Sequence, residues 1–327
     1  MSLKPSLGHA QNDSCRPHQI SEVILKNNFS TIISYEPIFK SCLLTESRHV
    51  VTAIRHFAFM QKKYVLVVNN DDLTPDLIPE SCLSQCSDFL PETQDDRTRT
   101  NYYNALVQTT ASPFPQYADG LKHEFSNQRQ VFLTIDLYPS HLPLDIELFH
   151  KIQIVQGNPH AKPVPVAISM SGSWLLRHAD DFQKLIKFQR DNKIDITWVN
   201  HSYTHPYIKG ISSDHNFLLT EGISLADEVF KNEKLFLQNG VIPSVFFRFP
   251  GLVSNENDIE TLRRWGLIPL AADAWLANGE KATIGSVILV HAKGNEPLGL
   301  IALYKLMVDW PELKPLFAKI NKAFMLN

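Results

Sequence analysis

The sequence lacks several features that mark specialised classes of protein. No apolar run approaches the roughly 18 residues that a membrane-spanning helix needs, and the opening residues, MSLKPSLGHAQNDS, contain no apolar segment typical of a signal peptide. There is no internal repeat and no low-complexity tract. The formal net charge is only −3, so the chain has no excess charge for binding nucleic acid or an anionic membrane surface.

Cysteine is scarce, and its four residues all lie in the N-terminal part of the chain: Cys15, Cys42, Cys82 and Cys86. An even number of cysteines in one region fits two disulfides, and it favours an oxidising, extracytoplasmic compartment. Four reduced thiols fit the same count equally well. We do not expect the Cys82–Cys86 pair to bind a metal ion, because zinc sites generally combine two close cysteine pairs.

The composition is that of an ordinary globular protein with a substantial core. Hydrophobic residues make up 44% and charged residues 20% of the 327 residues. This length predicts one large domain or two moderate ones. We divide the chain into an N-terminal region, residues 1–125, and a second domain, residues 126–327, because the sequence pattern changes near residue 130.

Beyond that point, short apolar runs alternate with segments of helical periodicity. The predicted strands span residues 131–135, 163–169, 194–199, 244–247, 267–271 and 286–290. Helices are expected over residues 179–190, 224–240 and 257–266, and near the C-terminus until Pro311 interrupts the pattern. Such alternation predicts an α/β fold in which parallel strands are covered by helices.

The N-terminal region has a different character and predicts an α+β arrangement. We predict a helix over Thr45–Met60, because Val50, Ile54 and Phe57 fall on one side of it, and a strand over Tyr64–Val68. A long polar stretch follows and carries no motif for chemistry. The region is therefore expected to be either a separate domain or a cap on the second one.

Five predicted strands of the second domain end in, or are followed by, side chains that can ionise or bind a metal ion. These side chains are Asp136, His201, Arg248, Asp273 and His291. The carboxyl ends of parallel strands lie on one face of an α/β fold, where ligands and catalytic groups gather. Each residue alone is more typical of a turn or a solvated surface. Together they predict one site.

The histidines of the segment HSYTH indicate a metal site. His201 and His205 are four residues apart, so both rings would reach the same side of one helical turn. Neutral imidazole binds zinc and similar divalent ions, and one or two further ligands or waters would complete such a site. The spacing also arises by chance in a chain with 13 histidines, but the strand context favours the metal site.

These residues resemble the motifs of the polysaccharide deacetylases of the NodB-homology, carbohydrate esterase family 4 type. That family has five short motifs in a fixed order, and this chain has a version of each: TIDL (134–137), HSYTH (201–205), RFPG (248–251), DAW (273–275) and ILVH (288–291). HSYTH matches the family pattern H-[S/T]-x-x-H fully. TIDL stands where the family has T-F-D-D, and DAW has shorter spacing than the family's Asp/Trp motif.

The resemblance implies a distorted (β/α) barrel of seven or eight strands, with the active site at the carboxyl ends of the strands. It also implies a role for each motif residue. Asp136 would be the general base, and Arg248 would be its partner. His201 and His205 would bind a divalent metal ion, which is expected to be zinc. Gly251 would be a backbone donor to the oxyanion, His291 would be the general acid, and Asp273 would keep His291 charged. Among the aromatic residues, Tyr138 and Trp275 are expected to contact a sugar.

Leu137 departs from the family pattern, because the family has a metal-binding Asp at this position. Three outcomes are open: Asp136 turns onto the metal ion; the two histidines hold it with extra waters; or no metal ion binds, and the protein is inactive or hydrolyses without one. Asp214, His215 and His141 are candidate substitute ligands. We expect a metal ion to be bound.

The expected function is metal-dependent hydrolysis of carbon–nitrogen amide bonds, most simply N-deacetylation of an amino sugar in a polysaccharide or peptidoglycan. The alternatives are a non-catalytic carbohydrate-binding relative and a hydrolase of a small cyclic amide. A closed pocket favours the small substrate and an open groove favours the polymer. The sequence leaves the particular glycan and the oligomeric state open.

Overall fold

The computed structural model describes residue 15 and residues 32–88, 100–124, 128–156, 163–309 and 316–324. The predicted interruption of the last helix at Pro311 lies outside these residues. Within them, every helix is too short or too polar to cross a membrane.

The N-terminal region contains a sheet of five antiparallel strands in the order β4-β3-β2-β1-β5. Its strands are β1 (Ile32–Leu44), β2 (Val50–Phe59), β3 (Lys62–Asn69), β4 (Pro75–Pro79) and β5 (Leu83–Asp88). The helix α1 (Asn101–Thr109) follows, and the Thr100 side chain caps it by accepting a hydrogen bond from the Tyr103 N–H. The predicted strand over residues 64–68 is confirmed as part of β3.

The helix predicted over residues 45–60 is wrong, because residues 50–59 form the central strand β2. One face of β2 packs Val51 and Ala53 into a small cluster, and the other packs Ile54 and Phe57 into a second, larger one. A strand buried on both faces has apolar residues at successive positions, so its spacing also matches a helical pattern.

Two disulfides stabilise the N-terminal sheet and settle the alternative that the cysteine count left open. Cys42 of β1 is bonded to Cys86 of β5, and Cys15 is bonded to Cys82, the residue before β5. These bonds account for all four cysteines of the chain.

The second part of the chain contains seven parallel strands in one curled sheet, in the order β10-β9-β8-β7-β6-β12-β11. They are β6 (Gln130–Leu137), β7 (Val164–Met170), β8 (Ile194–Asn200), β9 (Phe246–Phe247), β10 (Ile268–Pro269), β11 (Ala274–Trp275) and β12 (Val287–His291). An eighth strand, β13 (Leu316–Phe317), pairs with the start of β6. The predicted α/β class is confirmed, with the sheet curled as a half barrel.

Six helices accompany this sheet: α2 (Ile146–Gln156), α3 (Gly172–Arg177), α4 (Ala179–Arg190), α5 (Leu225–Gln238), α6 (Glu256–Arg264) and α7 (Pro297–Asp309). Helix α5 begins one residue after the predicted start at residue 224, and the Ser224 side chain caps it by accepting from the Asp227 N–H. Helix α6 begins one residue before the predicted start at residue 257, and the Asn255 side chain caps it by accepting from the Asp258 N–H.

Successive side chains of β6 point to opposite faces of the sheet, and this alternation separates the core from the site. Leu133, Ile135 and Leu137 belong to a hydrophobic cluster that also contains residues of α2, α4 and α7. Phe132 belongs instead to the cluster that receives Ile54 from the N-terminal sheet. The N-terminal sheet thus packs against the inner face of the half barrel, and the division at residue 125 stays a prediction.

A buried ion pair joins the two parts of the chain. The Arg55 guanidinium of β2 donates from Nε and Nη2 to the Glu233 carboxylate of α5, at 2.7 and 2.9 Å, and from Nη1 to the Trp265 carbonyl at 2.6 Å. The Tyr35 hydroxyl donates to the same carboxylate at 2.8 Å. Both charged side chains are at most 1% exposed, so each depends on the other for its charge compensation.

We expect Arg55→Met to lower the free energy of unfolding by about 3–5 kcal/mol, because it leaves the Glu233 carboxylate buried without a counter-charge. The double variant Arg55→Met/Glu233→Leu is expected to lose less than Arg55→Met alone. Urea unfolding of the three proteins measures both effects. As a matched control, Lys187→Met removes one member of an exposed ion pair with Asp191 and is expected to have a much smaller effect, because solvent screens that pair. A double variant less stable than Arg55→Met would contradict this account.

Candidate active site

A cavity of about 580 Å³ opens at the carboxyl ends of the central strands, and it contains most of the predicted site residues. Asp136 is the second-to-last residue of β6, His201 directly follows β8, and His291 is the last residue of β12. The lining includes Asp136, Tyr138, His201, His205, Gly251, Trp275, His291 and Glu296. Two other cavities, of about 570 and 870 Å³, contain none of the predicted site residues.

The Arg248 side chain holds Asp136 in place from the inner face of the sheet. Its Nη1 donates to Asp136 Oδ1 and to Thr134 Oγ1, both at 2.7 Å. Its Nε and Nη2 donate to the carbonyls of Leu270 and Ala271, at 3.1 and 2.8 Å. Arg248 is fully buried, and these acceptors satisfy both its charge and its fork of donors. The predicted pair Asp136–Arg248 is present in the structure.

Asp136 is held ionised in this environment. Burial by itself raises the pKa of the carboxyl, but the Arg248 guanidinium, with His201 and His291 nearby, outweighs burial and lowers that pKa below its ordinary value. A carboxylate with a lowered pKa is a weak base but a stable negative charge. It is therefore suited to orienting a neighbouring donor, or to accepting a proton only as the reaction generates one.

The His201 ring is oriented by a backbone carbonyl. Its Nδ1 lies 2.8 Å from the Arg248 carbonyl oxygen, so this nitrogen carries the proton and donates it. Nε2 then has a lone pair and faces Asp136 Oδ2 at 3.6 Å. Burial lowers the pKa of His201, partly opposed by Asp136, and favours the neutral ring. A neutral ring held through Nδ1 has the second-sphere hydrogen bond typical of metal-binding histidines.

The His205 ring meets the His201 ring, but not through the predicted helical turn. Residues 201–208 are not helical, and both Ser202 and His205 have a left-handed backbone, with φ of 64° and 51°. The Glu228 carboxylate accepts from the Thr204 N–H at 2.8 Å and from the Thr204 hydroxyl at 2.6 Å, which fixes the loop. The ring centroids of the two histidines are 4.7 Å apart. Burial, and then His201, lower the pKa of His205 well below its ordinary value.

The two rings and Asp136 provide a partial fit to a metal ion. The separation of 3.6 Å between His201 Nε2 and Asp136 Oδ2 is close to the roughly 3.4 Å expected between two ligands of one tetrahedral zinc ion. Among the described residues, however, no three His, Cys, Asp or Glu side chains form a ready metal-binding group. The metal ion therefore stays a prediction, with His201 and His205 as its protein ligands and Asp136 as the nearest carboxylate.

Leu137 does not face this site. It pairs with Met170 of β7 and lies fully buried in the cluster on the helix-covered face, whereas Asp136 lies on the inner face. The candidate substitutes do not take the place of a third ligand either. Asp214 and His215 are exposed and 3.7 Å from each other, and neither they nor His141 line the cavity.

His291 has a carboxylate partner, but it is not the predicted one. Its Nδ1 lies 2.5 Å from Glu296 Oε2. The predicted partner, Asp273, accepts from the Val287 N–H at 3.0 Å and contacts the His123 ring at 2.6 Å. Val287 and His291 are the two ends of β12, about 13 Å apart. The predicted Asp273–His291 pair is therefore wrong, because Asp273 lies at the far end of that strand.

The aromatic residues predicted to contact a sugar line the cavity. The Tyr138 ring stacks on His205, with centroids 4.8 Å apart, and meets the edge of His291 at 5.1 Å. The Trp275 ring lies 5.5 Å from His291. The Tyr138 ring therefore packs against His205 and His291, the Trp275 ring packs against His291, and both line the cavity.

Gly251 lines the cavity in a left-handed conformation, with φ of 64°. A Cβ atom at this position would lie 2.4 Å from the Phe217 ring, so a larger residue would clash. Glycine is required here for both reasons. The predicted role of its N–H as an oxyanion donor stays a prediction.

Two residues near the site carried no signal in the sequence. Glu296 follows His291 by five residues, and Lys293 by two, and neither belongs to a motif quoted above. The Lys293 ammonium lies 2.9 Å from the centroid of the Tyr138 ring, on the face opposite His205. Both residues are placed by the loop after β12, whose course a linear pattern does not give.

The chain was compared with family models and with solved structures. No family model matches the chain. Similar solved structures include a family 4 carbohydrate esterase from Bacillus anthracis, at 17% identity and a TM-score of 0.47, covering 68% of this chain and 90% of that one. A peptidoglycan N-acetylglucosamine deacetylase is 18% identical with a TM-score of 0.48, covering 66% of this chain and 99% of that one. A pseudoenzyme of the same family from Bacillus anthracis is 13% identical with a TM-score of 0.45, covering 93% and 94%.

We expect the stability of the protein to rise with pH through the titration of Lys293. Burial lowers the pKa of Lys293 from 10.5 to about 8, while Glu296 and Asp136 act in the opposite direction. Between pH 8 and 10 the unfolded chain therefore binds more protons at this residue than the folded one, and stability increases with pH. Below about pH 8 the cost of the buried ammonium is fully present.

Urea unfolding of wild type and Lys293→Met at pH 7, 8 and 9.5 tests this expectation. Lys293→Met is expected to be more stable than wild type at pH 7, with a difference that shrinks toward pH 9.5. Lys305→Met, at an exposed position of α7, serves as the matched control and should show no such trend. A difference that stays constant with pH would rule out titration of Lys293 as its cause.

We expect Leu137→Asp to destabilise the protein without improving metal binding, because residue 137 faces the helix-covered core. The loss should exceed that of Leu137→Ala, for which about 2–5 kcal/mol is typical, since a carboxylate is buried without a partner. Melting temperatures with and without zinc measure both points. A larger stabilisation by zinc in Leu137→Asp than in wild type would contradict the assignment of Leu137 to the outer face.

Proposed function

We propose that this protein hydrolyses the carbon–nitrogen bond of an N-acyl amino sugar, and that it deacetylates a polysaccharide or peptidoglycan. The observation that carries the proposal is the meeting, in one cavity, of two neutral imidazoles, an ionised carboxylate and a third imidazole that is hydrogen-bonded to a second carboxylate. Separate strands and loops contribute these groups. A set of this kind is typical of amide hydrolysis assisted by acid and base.

The positions of Asp136 and His291 suit the two proton transfers of amide hydrolysis. The two residues are paired directly across the neighbouring strands β6 and β12, so their side chains rise side by side into the cavity. Asp136, held by Arg248, accepts the proton of the attacking water. His291 delivers a proton to the departing amine, which otherwise leaves poorly. The acyl group would lie between them, with the Gly251 N–H as a donor to the oxyanion.

A divalent metal ion would be held by the rings of His201 and His205, with Asp136 Oδ2 as the nearest carboxylate oxygen. When bound, such an ion polarises an acyl carbonyl and lowers the pKa of its water toward about 7. The Nδ1–H of His201 donates a hydrogen bond to the Arg248 carbonyl oxygen, which leaves the lone pair of Nε2 available to bind the ion.

A glycan substrate fits the lining of the cavity. Tyr207, Phe217 and Trp275 contribute aromatic surface, on which the carbon face of a sugar can pack. The two faces of the Tyr138 ring are covered by His205 and Lys293. The motif resemblance supplies the choice of an acetylated amino sugar. The two disulfides are consistent with an extracytoplasmic location, where polysaccharides and peptidoglycan are found.

A second candidate, a non-catalytic carbohydrate-binding protein, is favoured by one observation. Leu137 stands where the family has a metal ligand and faces the core, and the described residues provide no three-ligand group. In this alternative the aromatic lining would bind the glycan and the acid–base groups would be unused.

Acetate release from chitooligosaccharides and peptidoglycan fragments separates the two candidates. The protein is purified without chelator, and its metal content is measured in parallel. We expect acetate release that falls by about 100-fold or more in His201→Ala and His205→Ala, because each removes an imidazole from the cavity. His215→Ala, at an exposed position outside the cavity, is the matched control and should retain wild-type activity.

Glycan binding with no acetate release, and no stoichiometric metal ion, would favour the binding protein. Turnover of small cyclic amides, but not of glycans, would support the other alternative, a hydrolase of a small cyclic amide. Activity of His201→Ala equal to wild type would show that the imidazole pair has no part in catalysis.

A further inference from the structure

We infer that Glu296 is the residue that positions the His291 ring for proton transfer, in place of the motif residue Asp273. This inference rests on the proposed function, since it names the partner of the proposed general acid. It concerns a residue that lies outside all five motifs. Glu296 acts through His291 and is therefore a positioning residue.

The contact between the two side chains is short and partly buried. His291 Nδ1 lies 2.5 Å from Glu296 Oε2, and the side chains of His291 and Glu296 are 6% and 23% exposed. Burial raises the pKa of Glu296, but the hydrogen bond and the charge of His291 outweigh burial and lower it below its ordinary value. The carboxylate is thus ionised, and it accepts a hydrogen bond from Nδ1–H. Nε2 remains as the ring nitrogen that can deliver a proton into the cavity.

Trp275 fixes the carboxylate from a second direction. Its indole Nε1 donates to the same Oε2 at 3.3 Å, and its ring lies 5.5 Å from the His291 ring. The backbone of Trp275 is in turn held by the Glu280 carboxylate, which accepts from the Trp275 N–H at 2.6 Å. Glu296 therefore accepts hydrogen bonds from two donors on one oxygen, so its position is already fixed when a substrate enters.

Asp273 has a different task at the other end of β12. Its carboxylate accepts from the Val287 N–H and from the Ser286 hydroxyl, at 3.0 and 3.2 Å, and contacts His123 at 2.6 Å. These contacts tie the segment around His123 to the start of the strand. With both oxygens engaged there, Asp273 cannot reach His291 at the strand's far end.

Two measurements on the full chain test the inference. The first is ¹⁵N NMR of histidine-labelled protein, in which the ring signals of His291 are assigned from their absence in His291→Asn. The second is steady-state acetate release. Both are made on wild type, Glu296→Gln, Glu296→Asp and Asp273→Asn, with melting temperatures to confirm folding.

In wild type the ring shifts should report a proton on Nδ1. Glu296→Gln should change these shifts and lower kcat by about 100-fold with KM changed by less than about twofold, because the amide no longer fixes the ring. Glu296→Asp should recover part of kcat. Asp273→Asn should leave the His291 signals unchanged, and kcat within about threefold of wild type.

Wild-type His291 shifts and wild-type kcat in Glu296→Gln would overturn the inference, as would a change of the His291 signals in Asp273→Asn. Failure of the proposed function is distinguishable from failure of the inference. If no glycan releases acetate, the proposed function fails, and the ring shifts still decide which carboxylate holds His291.

Discussion

The buried guanidinium of Arg248 is the interaction on which the rest of the site depends. A cation that is fully buried must have its charge and its donors satisfied, and Arg248 does so with a carboxylate, a hydroxyl and two backbone carbonyls. These partners belong to β6 and to the segment after β10. Its own carbonyl oxygen accepts from His201 Nδ1, and its N–H donates to the Asn200 carbonyl. One residue therefore sets the distance between three strand ends, the ionisation of Asp136 and the tautomer of His201.

The alternation of side chains along a strand is the second constraint. It places Thr134 and Asp136 on the inner face of the half barrel and Leu133, Ile135 and Leu137 against the helices. In the sequence motif, Leu137 occupies the position of a metal-binding Asp. In the structure it is a core residue, since its side chain fills space between the sheet and the helices. An acid at this position would have to leave that core before it could reach the histidines.

Sequence reasoning succeeded where function depends on the order of strands. Once the chain was recognised as alternating strands and helices, the meeting of Asp136, His201, Arg248 and His291 followed from parallel topology. It failed where the outcome depends on loops. The pair HSYTH brings its rings together through a left-handed loop held by Glu228, and the partner of His291 comes from a loop after β12. A motif records residue types and spacing, but a loop can satisfy the same chemistry with a residue five positions away.

The failure at β2 has a different physical cause. Strand periodicity is visible only when one face is polar, and β2 is covered on both faces, by the disulfide-bonded cluster and by the inner face of the half barrel. Arg55 is the only Asp, Glu, Lys or Arg residue of this strand, and its side chain does not face solvent. In the structure it is the buried partner of Glu233, which joins the N-terminal sheet to α5.

The charges around the cavity explain why the acid–base pair bears so much of the proposed chemistry. Asp136 is neutralised by Arg248, and Glu296 is bound by His291, with the Lys293 ammonium nearby. A divalent ion would therefore meet two neutral imidazoles and a carboxylate whose charge is already compensated, without the second acid of the family motif. Electrostatic attraction for the ion is correspondingly lower, because charge count is a main determinant of how tightly such a site holds a cation. Because the site offers a metal ion so little negative charge, we expect the reaction to depend strongly on a correctly oriented His291 ring. In the proposal above, the Glu296 carboxylate provides that orientation.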